Sequence, residues 1–301
     1  MNETECALPG VESLWPLCLA IASHRRGTGP ALSPDEVRRF RHHPTHGLML
    51  DEGAWTPAAQ DVFSMLKPLL DRPPEGPTWV VGQLGQSLDG CIATRTGDAN
   101  FVNGPEVLLH LHRLRALCDA IIIGAATAAI DNPQLTTRRV EGANPVRVLI
   151  DPGLQLPPTL RAFTDKQAPT LLVCDATRAA EANDRVGADQ VLAVPGLTRQ
   201  DGSMDVRPML SALRHRGLRV LFVEGGGVTV TRFVEQDCMD RLHLSIAPVL
   251  IGAGRPGLSL PGRAVMRECP RPAAGVFRLG ADVLWDLDLR QATHSPQGQG
   301  M

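Results

Sequence analysis

Two spacings of apolar residues divide the chain. From about residue 78 onward, short apolar runs bounded by Gly, Pro, Asn or Asp alternate with stretches whose apolar positions recur at helical spacing. Runs of the first kind predict buried strands, and the second kind predicts helices with one face on a core. Strands are expected at Thr78–Leu84, Ala120–Ile123, Val146–Ile150, Thr170–Cys174, Gln190–Val194, Val220–Val223, Arg241–Ala247 and Asp282–Leu289. Helices are expected at Pro105–Leu117, Val206–His215 and Thr229–Gln236. This alternation predicts an α/β domain in which helices cover a mainly parallel sheet.

Before residue 73 the pattern predicts two helices. Ser33-Pro34-Asp35-Glu36 offers an N-cap, a proline for the first helical position and acids for the first turn. Thr56-Pro57 repeats the start signal, and Val62, Met65, Leu66 and Leu69 then fall on one face. Pro68 is expected to kink or end that helix. The run Arg72-Pro73-Pro74-Glu75-Gly76-Pro77 reads as a linker. The expected division is therefore a small helical segment over 1–75, a main domain over 76–290, and a polar, frayed tail over 291–301.

Composition narrows the class. Of the 301 residues 43% are hydrophobic, enough for a large core and too many for a disordered chain. A formal net charge of −2 gives no basic field for nucleic acid or an anionic membrane. The seven cysteines form no Cys-x-x-Cys pair, which fits a reducing compartment better than a disulfide framework or a structural zinc site. The apolar run Leu14–Ala22 contains Pro16 and follows Glu3, Glu5 and Glu12, unlike a signal peptide. No apolar stretch reaches the roughly 20 residues of a membrane span. A soluble, cytoplasmic protein is expected.

Candidate chemistry sits where predicted strands end. Val220–Val223 runs into Glu224-Gly225-Gly226-Gly227 and then a helix from about Thr229. Such a turn leaves backbone N–H groups free for an anion, and it also serves as an ordinary strand-to-helix connection. Glu224, at a strand's carboxyl end, points toward where ligands bind in open α/β sheets. Ser87-Leu88-Asp89-Gly90 is a turn signal, Asp131-Asn132-Pro133 fits an Asx-turn, and Arg115 alone reads as a solvated charge. His42-His43-Pro44-Thr45-His46 lacks partner ligands, and no metal is expected.

In order along the chain, Ser87-Leu88-Asp89-Gly90, the block from Asn103-Gly104-Pro105-Glu106 to His112-Arg113-Leu114-Arg115, Gly124 through Asp131-Asn132-Pro133-Gln134-Leu135-Thr136, Val223-Glu224-Gly225-Gly226, and Ile246-Ala247-Pro248 to Gly252 form a specific set. The set resembles the RibD C-terminal family, the pyrimidine reductase of riboflavin biosynthesis, over about residues 78 to 289. The resemblance implies a three-layer, dihydrofolate-reductase-like α/β fold with a mainly parallel central sheet. It implies reduction by NADPH, with NADH left open, of a ribosylamino-pyrimidine phosphate, hydride passing to the ribose C1′. It places Arg115, Leu135, Arg138 and Glu224 at the substrate, with the arginines on its phosphate. It places Gly85, Phe101, Thr127, Asp131, Gly226, Gly227, Val228 and Thr229 at the cofactor, and it suggests a homodimer. No catalytic acid or base is assigned.

The chain departs from the family pattern at four places. The usual lysine near Gln83 or Leu84 is absent, Ala99 replaces a small polar residue, Phe101 stands where tryptophan is frequent, and Pro152 replaces a serine beside the cofactor's 2′-phosphate. Arg147 or Arg178 is expected to compensate for that serine. The His-x-Glu and Pro-Cys-x-x-Cys pattern of the family's partner deaminase does not occur, so residues 1–75 are read as something else. Two other functions stay open: a paralogous reductase of another pterin- or imine-like substrate, and a non-catalytic nucleotide-binding protein.

Overall fold

Side chains along the central strands are buried alternately on two faces of one sheet, and each face carries its own apolar core. The computed structural model describes residues 8–29, 33, 40–43, 45–51, 53–100 and 102–293. In chain order the elements are α1 (Val11–Arg25), β1 (Phe40–His43), β2 (Gly47–Leu50), α2 (Pro57–Leu70), β3 (Trp79–Ser87), β4 (Cys91–Ala93), α3 (Pro105–Leu117), β5 (Ala120–Gly124) and α4 (Ala125–Asp131). Then come β6 (Val146–Ile150), α5 (Arg161–Thr164), β7 (Thr170–Asp175), α6 (Ala179–Val186), β8 (Val191–Val194), α7 (Val206–His215), β9 (Val220–Glu224) and α8 (Gly227–Glu235). Strands β10 (Arg241–Ala247), β11 (Arg255–Pro256), β12 (Arg271–Leu279) and β13 (Asp282–Thr293) complete the fold.

Nine strands form the central sheet in the order β12-β13-β10-β3-β9-β5-β6-β7-β8. From β10 to β8 every neighbouring pair is parallel, and β13 and β12 add an antiparallel edge. Period-2 burial explains the two cores. Val81, Ile121, Ile123, Leu149, Leu172 and Phe222 face one core, which α1, α2 and α3 cover. Val80, Ile122, Val148, Val173, Leu221 and Val223 face the other, under α7 and α8. The expected three-layer α/β architecture is thus what the chain forms.

The N-terminal segment differs from the expectation. It is not all helical, because β1 and β2 pair as an antiparallel hairpin between its two helices. The expected helix start at Pro34-Asp35-Glu36 lies outside the described residues, and Ser33 is not helical. The run Leu14–Ala22 is part of α1, whose Leu14, Cys18 and Ala22 are fully buried at helical spacing. Pro68 does not stop α2, which continues to Leu70. The segment shares the main domain's core through Leu14, Leu66 and Leu69, and Arg25 and Arg26 clamp the end of α3. Arg25 donates to the Leu117 carbonyl at 2.5 Å, Arg26 to the Cys118 carbonyl at 2.7 Å, and both pair with Asp119. Asp119 in turn accepts from the N–H groups of Arg219 and Val220, at 2.9 and 2.8 Å, where β9 begins. Among the described residues no helix is long and apolar enough to cross a membrane.

Candidate functional site

The carboxyl ends of β3, β5, β6 and β9 open onto a cleft of about 940 Å³. Parallel sheets place ligands here because the strand ends and the following helix starts converge on one edge. Gly85 forms part of the floor at the end of β3, and a methyl group on it would strike the Asn103 side-chain oxygen. Glu224 ends β9, Gly225 turns the chain at φ 116°, and α8 starts at Gly227. A methyl group on Gly227 would collide with the Gly257 carbonyl, so only glycine lets this loop close on the helix start. The Gly226 N–H donates to Thr127 Oγ1 at 3.2 Å, which ties α4 to that turn. The N–H groups of Gly227 and Val228 have no partner among the described residues and are available to an anion.

Glu224 is held by a two-pronged ion pair. Arg115 Nε and Nη2 donate to its two carboxylate oxygens at 2.9 and 2.7 Å, and Nη1 donates to the Thr136 carbonyl at 3.1 Å. The fork needs the planar guanidinium, so lysine cannot replace it. One turn earlier on α3, His112 Nδ1 accepts from the Arg138 N–H at 3.0 Å. Burial, with the positive field of Arg115, Arg138 and Arg139, lowers the His112 pKa to about 3. A neutral ring keeps Nδ1 free to accept. Arg115 and His112 together pin the segment that carries Leu135, which is buried in a left-handed conformation at φ 56°. Asp131, at the end of α4, is raised from its ordinary range by desolvation and by the neighbouring Glu224.

The structure gathers many of the sequence candidates and separates others. Gly85, Thr127, Asp131, Glu224 and the Gly226–Thr229 turn all line the cleft. Phe101 lies outside the described residues. Arg115 and Leu135 stand behind the wall; Arg115, 5% exposed, reaches the cleft only through Glu224. Arg138 is exposed, and its guanidinium feels the fields of Arg115 and Glu224. The expected compensation by Arg147 or Arg178 does not occur in the cleft wall. Arg147 is buried and bonded to Asp165 at 2.8 Å and to the Ala168 carbonyl at 2.7 Å, because it closes the loop between α5 and β7. Arg178 is taken up by Glu181 and the Gly153 carbonyl.

Among the lining residues that sequence reasoning did not assign to the site are the polar Asn103, Arg232 and Arg255, of which Asn103 entered only as part of a motif. Arg232 had a signal, since it lies four residues after Val228 and so shares its helix face. Arg255 had none, because the loop that carries it reaches the cleft only through tertiary contacts. Asp89 anchors that loop: it accepts from Ser87 Oγ at 2.5 Å and from the Gly252 N–H at 2.6 Å. These bonds hold its carboxyl at about 2 and fix the turn, a structural job for the Ser87–Gly90 motif.

Comparison with known proteins bears on the family and the fold. The sequence model of the RibD C-terminal domain matches residues 78–269. The riboflavin biosynthesis protein RibD of Bacillus amyloliquefaciens is 34% identical over 178 residues, covering 59% of this chain. The chain spans only 47% of that relative's length. The 2,5-diamino-6-ribosylamino-4(3H)-pyrimidinone 5′-phosphate reductase of Methanothermobacter thermautotrophicus is 33% identical over 177 residues, covering 58% of this chain and 79% of the relative. The crystal structure of a Thermotoga maritima diaminohydroxyphosphoribosylaminopyrimidine deaminase/5-amino-6-(5-phosphoribosylamino)uracil reductase superposes with a TM-score of 0.59 at 24% identity, over 70% of this chain and 56% of that one. The riboflavin biosynthesis reductase of Saccharomyces cerevisiae also gives 0.59, at 19% identity, over 76% of this chain and 99% of that one. These two likenesses show the fold.

Proposed function

This chain belongs to the RibD C-terminal domain family, and from that premise we propose that it is an NADPH-dependent reductase of a ribosylamino-pyrimidine phosphate. The observation that carries the reading is the cleft at the sheet's carboxyl edge, where the Arg115-held Glu224 faces Asp131 beside the glycine-lined start of α8. A dinucleotide needs bare N–H groups for its pyrophosphate and apolar walls for its rings. Gly227 and Val228 supply the first, and Ile150, Pro152 and the 74% exposed Val228 supply the second, so the residues present fit the cofactor.

When bound, the reduced nicotinamide supplies a hydride, which the substrate's C1′ receives. Opening the ribose breaks the bond from C1′ to the ring oxygen and requires a proton at that oxygen. Two carboxyl groups line the cleft. Glu224 is held by both prongs of the Arg115 fork, which fixes its orientation toward the substrate. Asp131, whose pKa desolvation and the neighbouring Glu224 raise, is the cleft carboxyl placed to pass a proton to the departing ring oxygen. Arg138, exposed beside the pinned turn, takes the phosphate. Catalysis is then mainly positioning: the phosphate anchors one end of the substrate and the Glu224 carboxylate the other.

The test is oxidation of NADPH by the purified chain with the phosphorylated ribosylamino-pyrimidine. Oxidation that depends on the pyrimidine, with a ribityl product heavier by two hydrogen atoms, supports the reading. No turnover of the pyrimidine, with turnover of a simple imine instead, sinks this substrate assignment.

A further inference from the structure

Two cations line the cleft, Arg232 and Arg255, and neither forms an ion pair or side-chain hydrogen bond among the described residues. Arg115, behind the cleft wall, is by contrast fully engaged by Glu224. A guanidinium left free on a cleft wall is a site for an anionic ligand group.

The two arginines occupy different places. Val228, Arg232 and Gln236 are spaced by four residues and share one face of α8 and its C-cap. The Gln236 side chain donates to the Met204 carbonyl at 2.8 Å and accepts from the Val206 N–H at 3.0 Å. Arg232 therefore stands between the helix start and the Met204 end of the cleft, where Ile150 and Pro152 make an apolar wall. Arg255 lies instead across the turn at Gly97, where an added methyl group would meet its Nη2 at 2.8 Å. Its loop packs on the first residue of α8 through the Gly257 carbonyl.

We propose that Arg232 binds the 2′-phosphate on the adenosine of NADPH and sets the preference for NADPH over NADH, while Arg255 binds the pyrophosphate common to both. The inference rests on the cleft's holding a nicotinamide dinucleotide. With the pyrophosphate on the Gly227 and Val228 N–H groups, the adenine lies on the apolar wall of Ile150, Pro152 and Met204. The ribose between them spans about 6 Å, which is the rise from Val228 to Arg232 along α8. The planar fork then meets the phosphate that distinguishes the two cofactors.

Nicotinamide fluorescence titrations of the full chain with NADPH and with NADH test this on wild type, Arg232→Gln and Arg255→Gln. Arg232→Gln is expected to weaken NADPH by roughly tenfold to hundredfold and to leave NADH within about twofold. Unchanged NADH binding also shows that the variant is folded. Arg232→Lys should restore part of the NADPH affinity, and Arg255→Gln should weaken both cofactors by the same factor. An unaltered ratio of NADPH to NADH affinity in Arg232→Gln overturns the inference while the cofactor reading stands. Wild type that binds neither nucleotide removes the cofactor reading, and the inference with it.

Discussion

Replacing Arg115 with Met tests how the Glu224 carboxylate is held. The side chain that remains fills much of the same space, but Glu224 loses both donors, at 2.9 and 2.7 Å, and the Thr136 carbonyl loses its partner. Arg115 and Glu224 have side chains only 6% and 18% exposed. Breaking one partner out of a buried pair costs about 3–5 kcal/mol. Water entering from the cleft relieves part of that at Glu224, so about 2–3 kcal/mol is expected. For a chain of this size that is a fall in Tm of about 3–5 °C. Urea unfolding of Arg115→Met, Glu224→Gln and the double variant gives the coupling between them, expected at about 1–3 kcal/mol. Activity should fall in Arg115→Met even where the protein is fully folded, because Glu224 no longer has one orientation. Additive losses, within about 0.5 kcal/mol, would refute the claim that Arg115 acts through Glu224.

Three further outcomes are expected. Arg138→Ala should weaken a phosphorylated substrate by at least about tenfold with little change in cofactor affinity; equal losses for phosphorylated and dephosphorylated substrates would sink the phosphate assignment. The His112 pKa near 3 lies below the unfolded value of about 6.5, so the unfolded chain binds the extra proton first. Stability should therefore decline as pH falls from about 6.5 toward 3, and His112→Asn should flatten that slope without abolishing it, since buried His110 is also lowered, by desolvation and by His243; an identical slope in the variant contradicts the placement. Gly227→Ala forces its methyl group onto the Gly257 carbonyl, and should destabilise the protein by about 1–3 kcal/mol and loosen nucleotide binding; unchanged melting and affinity would show that the loop yields freely.

The central strands were legible because parallel strands buried on both faces read as continuous apolar runs, as Ile121–Ile123 and Leu221–Val223 do. Helices with clear starts were legible too: Pro105 and Val206 begin α3 and α7 where the pattern places them. α4 was not, since its seven residues are mostly alanine and show no apolar stripe. β12 was hidden by Pro272 and Gly275, which an edge strand tolerates and a central one does not. The ordered motifs named Asp131, Glu224 and the glycine turn, all of which line the cleft. They did not reveal that Arg115 is spent on Glu224, because the partner lies 109 residues away. Nor did they reveal Arg255, whose place depends on the Asp89 latch across the cleft rim.

The most direct test of the central claim is transfer of a label. The chain is incubated with NADPH carrying deuterium at the reactive carbon of the nicotinamide, together with the ribosylamino-pyrimidine phosphate, and the product is examined by mass spectrometry and NMR. The account predicts one deuterium per product, located at C1′ of a ribityl chain. Deuterium elsewhere, or a ribityl product without it, contradicts direct reduction at C1′ in this cleft.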